Sequence, residues 1–189
     1  MQHIYENIEG WFTFPELYKN IVANSNDNAH LVEVGTWFGK SASYMAVEIL
    51  NSGKKIKFDC IDTWDGSEEH KNLDVIKNND LYNSFLKNIE PVKEIINPIR
   101  LPSLEAVKLY EDNSLDFVFI DASHQYEDVK NDINAWYPKV KAGGILAGHD
   151  YPTWSEVLRA VTEFTEEYNY ELQLKGEEIC WSIKKRLND

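Results

Sequence analysis

Residues 30–41 read His30-Leu31-Val32-Glu33-Val34-Gly35-Thr36-Trp37-Phe38-Gly39-Lys40-Ser41, and the fold turns on how they divide. A short apolar run stops at Gly35, and Met45, Ala46, Ile49 and Leu50 then recur at helical spacing across a helix from about Ser41 to Asn51. Strand, glycine turn and helix in that order open a parallel sheet whose ligands gather beyond the carboxyl ends of its strands.

The same alternation continues downstream. Ile56 to Asp62 alternates as a second strand ending on an acid, and Leu81, Tyr82, Phe85, Leu86 and Ile89 mark another helix. Between them, residues 63–79 are polar and aperiodic, which suits either a mobile lid or a solvated surface excursion. Ile95 to Leu101 makes a third strand that Pro98 pushes to an edge. Ser103 is placed to cap a helix carrying Ala106, Val107 and Tyr110. Leu115 to Ile120 is almost unbroken in its apolar character, as a central strand covered on both faces must be. Val129, Ile133, Trp136 and Val140 then predict a helix closed by Gly143-Gly144, with Ile145 to Gly148 as the fifth strand. A last helix from near Ser155 is expected to bury Val157, Leu158, Val161, Phe164 and Tyr168. Tyr170–Leu174 and Ile179–Lys184 read as an antiparallel hairpin turning through Lys175-Gly176-Glu177-Glu178. The expected architecture is α/β: a Rossmann-like three-layer sandwich on a seven-stranded, mostly parallel sheet, forming one domain over residues 1–189.

Composition narrows the function. A net charge of −13 repels polyphosphate, so a nucleic-acid partner is disfavoured and a small acceptor expected. Cys60 and Cys180 stand far apart outside any metal or redox spacing, and read as buried, reduced fillers. No leader and no apolar run of about 20 residues is present, so the expectation is a cytoplasmic protein without membrane contact; assembly into a homo-oligomer stays open.

The glycine loop discriminates among ligands. A dinucleotide fingerprint needs glycines where Trp37 and Lys40 stand, and a phosphate loop needs one more residue between its glycines than Thr36-Trp37-Phe38 supplies. Two glycines that merely end a strand and start a helix explain the loop as well. Asp62, 27 residues after Gly35 at the next strand end, adds a carboxylate where the sugar of a nucleoside ligand would lie. A further set, Asp121, His124, His149 and Asp150, follows the fourth and fifth strands, which brings all four to one edge of a parallel sheet. Paired acids beside imidazoles suit an ion or a proton transfer, while two histidines bonding backbone at strand ends is the plainer explanation.

Glu33-x-Gly35-x-x-x-Gly39 resembles the first motif of class I S-adenosylmethionine-dependent methyltransferases. That resemblance implies a cofactor site in which Glu33, Gly35, Thr36, Trp37 and Gly39 form the loop under the methionine part. Ser41 and the helix N-terminus would receive its carboxylate. Asp62 would accept from the ribose hydroxyls, with Thr63, Trp64, Ser103 and Asp121 bordering the nucleoside; Trp64 equally suits the core. The stretches 119–126 and 143–151 resemble small sugar O-methyltransferases, cephalosporin-hydroxylase-like proteins and the catechol O-methyltransferases. From these, Asp121, His149 and Asp150 are implied as ligands of a divalent cation such as magnesium or manganese. His124 is implied as the base that deprotonates a hydroxylated acceptor, with catalysis shared among Asp121, His124 and His149. An imidazole at position 149 departs from the acid usual there, and favours manganese, iron or zinc over magnesium. A non-catalytic adenosine-ligand module, and more remotely a phosphate-loop nucleotide binder, fit the same fold. Tyr151 and Trp154 suit an acceptor pocket or the packing of the last helix. Glu166-Glu167 and Glu177-Glu178 read as solvated pairs, and no motif surrounds His3, His30 or His70.

Overall fold

The computed structural model describes residues 1–67, 70–175 and 179–188. The helix α1 (Pro15–Asn24) precedes β1 (His30–Val34), α2 (Lys40–Ser52) and β2 (Lys57–Asp62). Then come α3 (Asp74–Lys77), α4 (Leu81–Ile89), β3 (Ile96–Arg100), α5 (Ser103–Ala106) and β4 (Leu115–Ile120). The remainder is α6 (Tyr126–Trp136), β5 (Val140–Gly148), α7 (Ser155–Glu167), β6 (Gln173–Lys175) and β7 (Cys180–Lys184). One seven-stranded sheet runs in the order β3-β2-β1-β4-β5-β7-β6. Strands β1 to β5 pair in parallel, and β7 pairs antiparallel with both β5 and β6. Strand order reverses between β1 and β4, the point at which open α/β sheets form a crevice. The hairpin turn at Gly176-Glu177-Glu178 lies outside the described residues.

Period-two alternation divides the strand side chains between two cores. Leu31, Phe58, Cys60, Phe117 and Phe119 pack against α1, α2 and α4. Val32, Val34, Ile61, Val118, Ile120 and Leu146 pack against α6 and α7 on the other face. Both cysteines are buried and free. As expected, β4 is central and the strand holding Pro98 is an edge.

Four local expectations are corrected. Val140 is the first residue of β5, paired with Leu115, because the helix stops at Trp136 and a 3-10 turn through Pro138 turns the chain into the sheet. Gly143-Gly144 accordingly lie inside a strand, where a register shift between Leu115 and Phe117 absorbs them. Ser103 caps nothing: Pro102 is the residue before α5, and the Ser103 hydroxyl donates to Asp132 at 2.5 Å and accepts from Trp136 Nε1 at 2.8 Å. On α7, Val157, Val161 and Phe164 are buried as expected, but Tyr168 is exposed beyond the helix end. Among the described residues no helix is long and apolar enough to cross a membrane.

Candidate active site

The turns after β1, β2, β4 and β5 open into a single cavity of about 890 Å³. Gly35, Thr36, Asp62, Thr63, Ser103, Asp121, His124, His149 and Asp150 all line it, together with Trp37, Lys40 and Ser41 from the loop and start of α2.

The glycine loop on the cavity wall is held by two carboxylates. Asp62 accepts from the backbone N–H groups of Thr36 and Trp37 at 2.9 and 2.8 Å, and from that of Trp64 at 2.8 Å. Burial raises the pKa of Asp62, and these N–H donors act against the rise. Its first duty is therefore to tie loop to strand. Glu33 is fully buried and accepts from Tyr18 at 2.7 Å and from Ser41 at 2.8 Å. Burial pushes its carboxyl up to about 8, with the two hydroxyl donors opposing. The Ser41 hydroxyl is thus turned back on Glu33 rather than offered to a ligand, although Ser41 lies on the cavity wall. Gly39 begins α2 in the left-handed conformation, φ +83°, and offers no side-chain cap, so the N–H groups of the first helical turn are available to an anion. A cavity of this size with a carboxylate and an uncapped helix start on its wall suits a nucleoside carrying an amino-acid carboxylate.

Trp64 is the expected cofactor residue that the structure moves elsewhere. Its indole is 1% exposed among Tyr82 and Phe85, donates to the Trp37 carbonyl at 3.0 Å, and does not line the cavity. The aromatic pair that does border it is Trp37 and His70, with ring centroids 4.2 Å apart.

Beyond the tips of β4 and β5, Asp121, His124 and Asp150 each present a ligand atom, all within 4.8 Å of one another. Asp150 sits at φ +65°, which aims its carboxylate back across the strand ends. Its Oδ2 is 2.9 Å from His124 Nε2 and its Oδ1 is 3.3 Å from His149 Nδ1. Burial raises the Asp150 carboxyl, but the two imidazole contacts and their charges outweigh it and hold the group well below the usual carboxylate range. Asp121 goes the other way: burial, aided by the Asp150 and Asp62 charges, pushes it up to about 6 against the pull of the imidazoles. For His149 burial opposes protonation, yet the Asp150 contact and the Asp121 charge prevail and raise it.

Of the expected cation set, His149 stands beside both acids, its Nδ1 3.7 Å from Asp121 Oδ1 and 3.3 Å from Asp150 Oδ1. His124, expected to stand apart as a base, joins the two acids, while His149 turns its Nε2 to Thr13 Oγ1 at 3.2 Å and its ring face towards Phe14. Two carboxylates and one imidazole are a donor set for a divalent first-row ion. The 2.9 Å between Nε2 and Oδ2 also fits: octahedral bonds of about 2.1 Å put neighbouring ligand atoms about 3 Å apart.

Sequence reasoning passed over the N-terminal wall. Glu9, Gly10, Trp11 and Thr13 line the cavity, with Trp11 77% exposed at its rim, and no motif around them signals this. Trp154 lines the cavity and stacks on His124 with centroids 4.3 Å apart.

Sheet order, glycine loop and acid-tipped β2 define a class I methyltransferase fold, and comparison with known proteins agrees. The chain belongs to the family described as a methyltransferase domain, whose profile matches residues 32–151. Uncharacterized protein R132 of Acanthamoeba polyphaga mimivirus is 31% identical over 175 residues, covering 87% of this chain and 66% of that one. Uncharacterized protein y4gI of Sinorhizobium fredii is 24% identical over 162 residues. The chain spans 17% of the length of y4gI, and just under two thirds of R132. Among solved structures, the O-methyltransferase NovP superposes with a TM-score of 0.70 at 17% identity, covering 91% of this chain and 79% of that one. SMU.1697c of Streptococcus mutans, solved in complex with SAH, gives 0.63 at 13% identity over 90% and 96%. A SAM-dependent methyltransferase of Aquifex aeolicus gives 0.59 at 17% identity over 91% and 89%.

Proposed function

We propose that this chain is a SAM-dependent O-methyltransferase for a small hydroxylated acceptor, a sugar being the first acceptor class to test, and that Asp121, His124 and Asp150 hold a divalent ion. The observation that carries the reading is the placement of this cluster in the same cavity as the glycine loop and Asp62. The net charge of −13 favours a small molecule over nucleic acid as acceptor.

In this reading Gly35 lets the loop lie close beneath the donor, the first turn of α2 receives the donor carboxylate, and Asp62 accepts from its ribose. Trp11 and Trp154 flank the acceptor, and excluding water strengthens the electrostatics around the cluster. Asp121 and Asp150 supply negative charge beside the reacting hydroxyl, and His149 fixes Asp150. A divalent ion there supplies Lewis acidity that lowers the pKa of a hydroxyl.

A second reading rests on the 2.9 Å contact between His124 and Asp150. Without an ion, His124 Nε2 takes the acceptor proton, and Asp150 stabilises the imidazolium so formed. The deciding experiment is transfer from labelled SAM to a panel of sugars and catechols, with and without chelator. Transfer that chelation abolishes and manganese restores supports the first reading; full transfer in chelator leaves the second. SAH binding with no transfer to any acceptor would instead leave a non-catalytic ligand-binding module.

A further inference from the structure

The N-terminal segment lies outside the residues that the family profile matches, yet it touches the cluster. Thr13 Oγ1 is 3.2 Å from His149 Nε2, and the other ring nitrogen of His149 faces Asp150 Oδ1 at 3.3 Å. An ionised carboxylate only accepts, so the ring proton of neutral His149 belongs on Nδ1. Its Nε2 is then a lone pair in a side chain only 11% exposed, and the Thr13 hydroxyl is placed to donate to it. Thr13 is itself fixed by Phe14, 1% exposed and packed against Phe119, Tyr18 and the His149 ring. The ring is thus held at both nitrogens and on one face. What it holds in turn is Asp150, whose second oxygen reaches His124.

We propose that Thr13 is a positioning residue of the reaction centre: its hydroxyl selects the Nδ1–H tautomer of His149, and His149 so oriented keeps Asp150 aimed at the ion-binding cluster. The N-terminal segment is then a working part of the centre. His149 is then an outer partner of the ligand Asp150, a contact whose loss costs roughly 10- to 100-fold in metal affinity, and Thr13 acts one step behind it.

The test uses the full chain and three variants. Thr13→Val keeps the shape and deletes the hydroxyl, Thr13→Ser keeps the hydroxyl, and Thr13→Ala replaces Thr13→Val should the latter fail to bind SAH. Long-range proton–nitrogen NMR on the labelled protein, with His149 assigned from His149→Phe, reads the tautomer without any metal. The expected wild-type signature, read at a pH above the raised His149 value so that the ring is neutral, is a protonated Nδ1 and an unprotonated Nε2, kept in Thr13→Ser and lost to a tautomer mixture in Thr13→Val. Manganese affinity by electron paramagnetic resonance should fall about tenfold in Thr13→Val and stay within about twofold in Thr13→Ser. SAH affinity should hold in both. An unchanged His149 signature in Thr13→Val overturns the proposal, as does a Thr13→Ser that loses as much as Thr13→Val. The manganese arm rests on the proposed ion site. Should the wild type bind no manganese, that site fails, and the tautomer measurement alone decides the role of Thr13.

Discussion

Gly35 carries the tightest steric demand at the site. Its φ is +88°, and a Cβ there would lie 1.9 Å from the Asp121 carbonyl oxygen, so the turn after β1 is pressed directly onto the turn after β4. Gly35→Ala is expected to destabilise by about 3 kcal/mol, through overpacking together with an unfavourable φ. It should also weaken SAH binding more than tenfold; urea unfolding and calorimetry check both, and a wild-type midpoint would refute the close approach. Glu33 makes a pH-dependent claim. Native Glu33 keeps its proton up to about pH 8, whereas the unfolded side chain loses it near 4.5. The native state therefore binds more protons across that window, and the stability this group contributes at low pH drains away as pH rises through it. Glu33→Gln cannot titrate, so wild-type stability relative to that variant should fall across pH 5 to 8, approaching about 1.4 kcal/mol per pH unit, and level off above. Parallel unfolding curves at pH 5, 6, 7 and 8.5 would show it; a constant difference would mean that Glu33 is ionised throughout. The residue types at the site were legible, since a glycine after a strand and acids at strand tips are chemical signals in their own right. That His124 joins the acids was not, because one position in a loop decides which way an imidazole turns.

At the scale of elements, α5 and α6 are joined by a buried polar tie that a sequence motif does not reveal. The Ser103 hydroxyl bridges Asp132 and Trp136 Nε1, and Asp132 is pushed up to about 6 by burial with Ser103 opposing. Ser103→Ala orphans a buried indole N–H and removes a donor from a buried carboxyl, at a cost of about 1–3 kcal/mol. Its SAH affinity should change less than threefold, because the hydroxyl faces the helix and not the cavity. A large loss of SAH affinity with unaltered stability would return Ser103 to the ligand. Here the sequence misled for an identifiable reason: serine before a helical pattern signals a cap, and only the neighbouring helix shows that its hydroxyl is already engaged. Val140 misled likewise, since an apolar residue continuing an i, i+4, i+7, i+11 series fits a helix face as well as the first position of a buried strand.

For the whole molecule, the prediction separates binding from chemistry. SAH at 100 times its dissociation constant should stabilise the chain by about 2.7 kcal/mol, with chelator present or absent, since Asp62 and the first turn of α2 rather than an ion are proposed to hold it. ATP and NADH should give no comparable shift. His124→Ala and Asp150→Ala should each keep the SAH shift while lowering methyl transfer at least 100-fold, read with labelled donor. A lost SAH shift in either would mean that donor binding and the cluster are not independent.

The order of strands and helices, the glycine turn and the acid-tipped strand ends were set by local chemistry: side-chain period, glycine's access to positive φ, and the polarity of residues at strand tips. These are properties of neighbours in the chain, and sequence alone determined them, along with the methyltransferase resemblance they carry. Tertiary structure decided what distant segments do to each other. It turned Trp64 into the core, bent Ser41 back to Glu33, brought His124 beside Asp121 and Asp150, and brought Thr13 across 136 positions to His149. Such contacts depend on the packing of whole helices against the sheet, and no periodicity along the chain encodes the direction in which one side chain finally points.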